Sequence, residues 1–87
     1  MFISVHHKIS SPGQFWASAQ KNLPHLPETG VKRVVCVFPS NDMGEATCIW
    51  EADSIEALNK YLRCKVFDWS RETYFEISAS NAIGLPS

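Results

Sequence analysis

The central stretch Val31-Lys32-Arg33-Val34-Val35-Cys36-Val37-Phe38-Pro39-Ser40-Asn41-Asp42-Met43-Gly44-Glu45-Ala46-Thr47-Cys48-Ile49-Trp50-Glu51-Ala52 is two strands and the turn between them. Val34, Val35 and Val37 make Val31 to Phe38 a β-branched run, Pro39 to Gly44 is turn chemistry, and Glu45 to Ala52 resumes the extended pattern. The hairpin sits in the middle of the chain, so the elements on either side of it decide the topology.

Each flank reads as a helix followed, farther out, by a strand. Before the hairpin, Ser11-Pro12-Gly13-Gln14 opens a helix: Ser11 can cap, Pro12 suits the first turn, and Gln14 stands where a capping box returns its hydrogen bond. Phe15, Trp16, Ala19 and Leu23 form its apolar stripe, and Pro24 and Pro27 end it. After the hairpin, Asp53 or Ser54 caps a second helix with Glu56 at capping-box distance from Asp53. Leu58, Tyr61, Leu62 and Val66 repeat at helical spacing, and the helix finishes near Asp68. Outermost lie Phe2 to Lys8 and Arg71 to Ser78, both extended; in the second, Phe75 and Ile77 fall on one side and Tyr74 and Glu76 on the other.

Strand–helix–strand–strand–helix–strand with right-handed crossovers gives an α+β, ferredoxin-like βαββαβ domain. It has a four-stranded antiparallel sheet of order 4-1-3-2 and both helices on one face. Residues 1–78 make that domain; the apolar tail within 79–87, Asn81-Ala82-Ile83-Gly84-Leu85-Pro86, is expected to dock on its own sheet or a neighbour's. Helices on one face leave the other to be covered. Val34 with Cys36, Val35 with Val37, and Cys48 with Trp50 opposite Ile49 make the strands apolar on more than one side. Face-to-face pairing into an isologous homodimer, a dimeric α+β barrel, is the expected solution.

At 87 residues a single core is small, and a partner subunit would add burial. With 45% hydrophobic residues, three Trp and five Phe, the chain is not a disordered one, and a net charge of -1 supplies no footprint for nucleic acid or an acidic membrane. Without a basic, apolar leader or a run of membrane-spanning length, a cytoplasmic protein is expected. Cys36, Cys48 and Cys64 are odd in number and widely spaced, with no CxxC pair, and read as small buried hydrophobes.

The residues with chemistry begin at Ser4-Val5-His6-His7-Lys8-Ile9. Neighbours in a strand point to opposite faces, so His6 and His7 cannot chelate one ion together. Ile3, Val5 and His7 share a side assigned to the helix layer; Ser4, His6 and Lys8 share the other, which makes His6 the stronger functional candidate. Thr47, Ile49 and Glu51 fall on the His6 side, and Tyr74, Glu76 and Ser78 are expected to join them. Imidazole with carboxylates in a partly enclosed space can hold a divalent metal or act as an acid–base pair. An interface role for His6 weighs about equally, and solvated carboxylates somewhat more for Glu51 and Glu76. Among the tryptophans, Trp16, Trp50 and Trp69 read as packing, with Trp50 also a candidate pocket residue. His25 reads as an exposed loop residue, Lys8, Lys32 and Arg33 are too scattered for a phosphate site, and Ser10, Ser11 and Ser54 read as caps.

Four pieces, Val5-His6-His7-Lys8-Ile9, Gly30-Val31-Lys32, Cys48-Ile49-Trp50-Glu51-Ala52 leading into Ser54, and Tyr74-Phe75-Glu76-Ile77, carry a resemblance that spans most of the chain. The chain resembles short single-domain ferredoxin-like proteins of unassigned function, with a nickel-binding member, in the dimeric α+β barrel superfamily. The resemblance implies a homodimer and makes His6 a candidate metal or ligand position, with a divalent ion such as nickel as the implied cofactor. The family's first strand usually has an acidic residue where this chain has Ser4, and its second helix has histidines where this chain has Leu62 and Phe67.

The leading expectation is a dimeric protein binding a small ligand or divalent metal in its sheet-lined interior, with His6 and Glu51 nearest the ligand and Trp50, Tyr74 and Glu76 around it. The alternative is a cofactor-independent monooxygenase or isomerase with His6 as general base and Trp50 and Tyr74 shaping an apolar pocket. A purely structural dimer serving a partner protein is the third.

Overall fold

The computed structural model describes residues 1–86 and has the order β1 (Phe2–Ile9), α1 (Pro12–Asn22), a short 3₁₀ turn (Leu23–His25), β2 (Val31–Pro39), β3 (Glu45–Ala52), α2 (Ile55–Val66) and β4 (Ser70–Glu76). The sheet order is β2-β3-β1-β4 with every neighbouring pair antiparallel, which is the expected ferredoxin-like topology. Among the described residues, no helix is long and apolar enough to cross a membrane.

The two helices start differently. Ser54 caps α2, its Oγ accepting from the Ala57 N–H at 3.0 Å, which selects it over Asp53. Ser11 makes no side-chain cap to α1. The backbone N–H groups of Ser10 and Ser11 instead donate to the Trp69 carbonyl at 2.8 and 3.2 Å, tying the end of β1 to the loop before β4. That tie, not a capping box, fixes the start of α1.

Ile3 and Val5 from β1, Ala46, Cys48, Trp50 and Ala52 from β3, and Val31 form the sheet side of the core. α2 contributes Leu58, Tyr61, Leu62 and Val66, whereas α1 fully buries only Phe15. Trp16, Ala19 and Leu23, the rest of the expected stripe, are half-buried. α1 is therefore the more lightly seated helix.

Two register shifts in β2, between Val31 and Arg33 and between Val34 and Cys36, correct the reading of its faces. Val34 pairs with Trp50 and Val37 with Cys48, on the helix side, while Arg33 pairs with Glu51, Cys36 with Ile49 and Phe38 with Thr47, on the open side. Val34 and Cys36 thus do not share a face, because an extra residue in one strand inverts the alternation beyond it. The open face carries Phe38, 66% exposed, and Phe75, 63% exposed. Past β4 the Ile77 N–H still donates to the Phe2 carbonyl, then Ser78 and Ala82 close a turn; Leu85 and Pro86 are half-buried and Ile83 is fully exposed. The cysteines divide as well: Cys48 is buried, Cys36 half-buried and Cys64 exposed.

Candidate functional site

Register between β1 and β4 builds the site. His7 lies opposite Glu72 and Val5 opposite Tyr74, and directly opposed residues share a face, so β4 turns Ser70, Glu72, Tyr74 and Glu76 toward the helices. This corrects the expectation that Tyr74 and Glu76 join His6: Tyr74 donates its hydroxyl to Asn59 of α2 at 2.9 Å, and Glu76 pairs with Ile3. The inversion has a physical source. Phe75 is apolar yet faces outward, on the open face that also carries the exposed Phe38.

His7 Nδ1 and Glu72 Oε2 are 2.9 Å apart, with side chains only 2% and 1% exposed. The Ser70 hydroxyl donates to the same carboxylate oxygen, and the Arg63 guanidinium pairs with Glu72 Oε1. Arg63 is itself fixed by donating to the Phe67 carbonyl at 2.6 Å, at the point where α2 ends. Burial pushes the His7 pKa from its ordinary 6.5 down to about 4, with repulsion from His6 and then Arg63 acting the same way. The charge of Glu72 is met by Arg63, so His7 stands neutral near pH 7. Its Nδ1–H donates to the carboxylate, a tautomer assigned from this network, and Nε2 is left as an unprotonated acceptor.

His7 also lines a cavity of about 40 Å³ between the sheet and the helices, together with Trp16, Asn22, Trp50, Tyr61 and Lys65. The ring of Phe15 packs edge-on to His7 at 5.2 Å, and Trp50 lies 5.8 Å from Tyr61. Trp50 Nε1 is buried with no oxygen or nitrogen partner and only the Cys48 sulfur, a weak acceptor, beside it, so it is a donor that a ligand oxygen or a water could satisfy. The volume suits a water, not an organic molecule, so a larger ligand requires the helices to move. Burial pushes the Tyr61 phenol and the Cys48 thiol up to about 12, helped by Glu28 and Cys36 respectively, which leaves both protonated near neutrality.

His6 lies where expected, on the open face, but it does not meet Glu51. His6 Nε2 contacts Glu45 at 3.0 Å. Glu51 pairs with Arg33 at 2.8 Å and stands opposite Phe2, four positions along β1 from His6, which is roughly 13 Å at strand spacing. Among the described residues, no group of three or more His, Cys, Asp and Glu side chains is placed to hold a metal. His25 is exposed, as expected.

Sequence reasoning missed Glu72, Arg63 and Ser70 and ranked His7 below His6. One signal was present: Ser70, Glu72, Tyr74 and Glu76 form one alternating set, and an assignment of that set to the helix layer would have put Glu72 with His7.

No family model matches the chain, and no curated protein matches it. Solved structures do. One, "Putative antibiotic biosynthesis monooxygenase from Nitrosomonas europaea", superposes with a TM-score of 0.56 at 14% identity, over 90% of this chain and 99% of that one. Another, a protein from Deinococcus radiodurans bearing the same description, gives a TM-score of 0.50 at 17% identity over all of both chains. At such identities the likeness is one of fold: the chain shares the ferredoxin-like architecture of these two proteins.

Proposed function

We propose that the protein is a small enzyme of the monooxygenase or isomerase type, acting on an apolar aromatic ligand held between helices and sheet, with His7 as the general base. One observation supports this above others: a neutral imidazole, held by a buried carboxylate at 2.9 Å, beside an apolar cavity. A neutral, enclosed imidazole of fixed tautomer can take a proton from a C–H acidified by a neighbouring carbonyl; burial makes it a weaker base than a free imidazole, and the Glu72 carboxylate at Nδ1 offsets this by stabilising the imidazolium as it forms. In an oxygenase cycle the resulting carbanion gives its electrons to dioxygen; a methylene becomes a carbonyl, one oxygen atom enters the product and the other leaves as water. In an isomerase the proton returns at another carbon. The unpartnered Trp50 N–H is suited to hold an oxygen of the anion.

The protein is proposed to work as a homodimer joined through its open sheet faces, where Phe38 and Phe75 lie exposed. A second reading has its own support. His6 and Glu45 sit 3.0 Å apart on that face, and two copies together would offer two such pairs to a divalent ion such as nickel. Native mass spectrometry of wild type against His6→Ala tests it: an ion removed by the substitution supports the metal, and a metal-free dimer in nickel-supplemented buffer rejects it.

The enzyme reading is tested by oxygen consumption and product analysis with polycyclic aromatic ketones, comparing wild type with His7→Gln and His6→Gln. Turnover that falls about 10²–10⁴-fold in His7→Gln and little in His6→Gln is expected. Equal losses, or none, would reject His7 as the base.

A further inference from the structure

Lys65 occupies a singular position. It lines the interior cavity and also both surface grooves that flank the second half of α2. Its stem forms part of the outer wall of the cavity, its Nζ lies 3.4 Å from Glu28 and 5.4 Å from the centre of the Tyr61 ring, and its side chain is 26% exposed. Its carbonyl accepts from Ser18 of α1 at 2.5 Å, and Asn22 donates to Ser18, so the same residue joins α1 to α2. Ser18 and Asn22, too, belong to both the cavity and the groove between the helices. These three residues separate the cavity from the groove between α1 and α2.

We propose that Lys65 is the gate and the specificity-determining residue of this cavity, selecting ligands that carry an acidic group on an apolar aromatic body. This rests on the reading of the cavity as the ligand site. Size requires a gate, since about 40 Å³ admits no aromatic ring until the wall moves. Seating allows one: α1 fully buries only Phe15, and the Lys65–Glu28 pair is of the partly exposed kind that contributes little to stability and yields to a competing anion. Charge identifies the ligand's outer end. The groove between α1 and α2, about 430 Å³, holds Lys21 and Lys65 with Phe67 and Trp69 and has no acidic side chain in its lining. The groove on the other side of α2 sets Glu28 and Asp53 against Lys60 and Lys65, so only the groove between the helices is cationic throughout. An apolar body passing between the helices would lie against Trp50 and His7, and its carboxylate or sulfonate would come to rest between Lys21 and Lys65, replacing Glu28 as the partner of the ammonium.

A matched pair of probes tests this: naphthalenecarboxylate and its neutral, isosteric amide, titrated by NMR with the Trp50 indole N–H resonance as readout. The wild type is expected to bind the carboxylate about tenfold more tightly than the amide. Lys65→Met, which keeps the stem and removes the charge, should erase that preference; Lys65→Arg should retain it; Glu28→Gln should strengthen carboxylate binding. Equal binding of both probes to the wild type, or a preference unchanged in Lys65→Met, overturns the gate and leaves the cavity standing. If neither probe moves the Trp50 resonance, the cavity reading falls and the gate with it.

Discussion

His7 and Glu72 oppose one another across the β1–β4 ladder, Nδ1 to Oε2 at 2.9 Å, so that backbone register alone places an imidazole and a carboxylate together under the helices. Arg63 then reaches Glu72 from the last turns of α2, joining the sheet to the end of that helix. Stability and proposed chemistry meet in this group, which makes its titration the most informative property to measure.

Stability should fall with acid through His7. The folded ring titrates at about 4 and the unfolded one at 6.5, so between those values the unfolded chain binds the proton first. The stability attached to the neutral ring is complete above 6.5 and is lost as the pH drops toward 4. Over that window the loss is on the order of 3 kcal/mol. Urea unfolding across the window, wild type against His7→Gln, checks it; a slope that survives in the variant would mean that other groups cause it.

Arg63→Met leaves the Glu72 carboxylate buried without its cation. Breaking a wholly buried pair is costly, but the Arg63 side chain is 40% exposed and water screens part of the interaction. A loss of about 2 kcal/mol is expected. The His7 titration should also move upward, because a source of repulsion is gone and the free carboxylate favours the imidazolium. An NMR titration of the imidazole that stays in place would show the three groups to be uncoupled.

The two helix starts predict unequal effects from the same substitution. Ser54→Ala removes the bond to the Ala57 N–H and should cost about 1 kcal/mol. Ser11→Ala removes no side-chain cap and should change stability by less than about 0.5 kcal/mol. Thermal melts of the two variants side by side decide it.

Gly30 sits at a φ of 81°, and an added Cβ would meet the Ala57 Cβ at 2.8 Å. Gly30→Ala therefore combines backbone strain with a clash where α2 approaches the start of β2, and about 2–3 kcal/mol of destabilisation is expected. In a double-mutant cycle, Ala57→Gly should recover the clash and not the strain. Strict additivity would show that the helix shifts instead.

The open sheet face should control assembly. Phe38→Asp or Phe75→Asp places a charge on an exposed apolar surface, which should dissociate the proposed dimer while altering the fold's stability by no more than about 0.5 kcal/mol. Light scattering during size-exclusion chromatography reads the mass. An unchanged dimer would place the interface elsewhere.

Much of the fold was legible because its signals are local. Turn residues from Pro39 to Gly44 mark the hairpin, the repeat of Leu58, Tyr61, Leu62 and Val66 marks the buried side of α2, and Ser54 caps that helix through a bond spanning three residues. The candidate site was less legible. His7 lies far in sequence from Arg63 and Glu72, and each of those two charged residues has an ordinary surface role available to it when considered alone.

From the sequence by itself came the element order, the crossovers that set the sheet order, and the division of each outer strand into two alternating sets. In β1 the apolar Ile3 and Val5 also marked the inward set, and they are buried with His7; in β4 tertiary structure alone decided which set faces inward. In β4 the apolar Phe75 turns to the open face, and Ser70, Glu72 and Tyr74 are drawn under the helices, where Glu72 finds His7 and Arg63 and Tyr74 finds Asn59. In β2 the register shifts separate Val34 from Cys36, which strict alternation had placed together. The physical reason is common to both. Alternation has a period of two and no sign, so when both sheet faces are apolar the sign is fixed only by partners that packing brings from elsewhere in the chain.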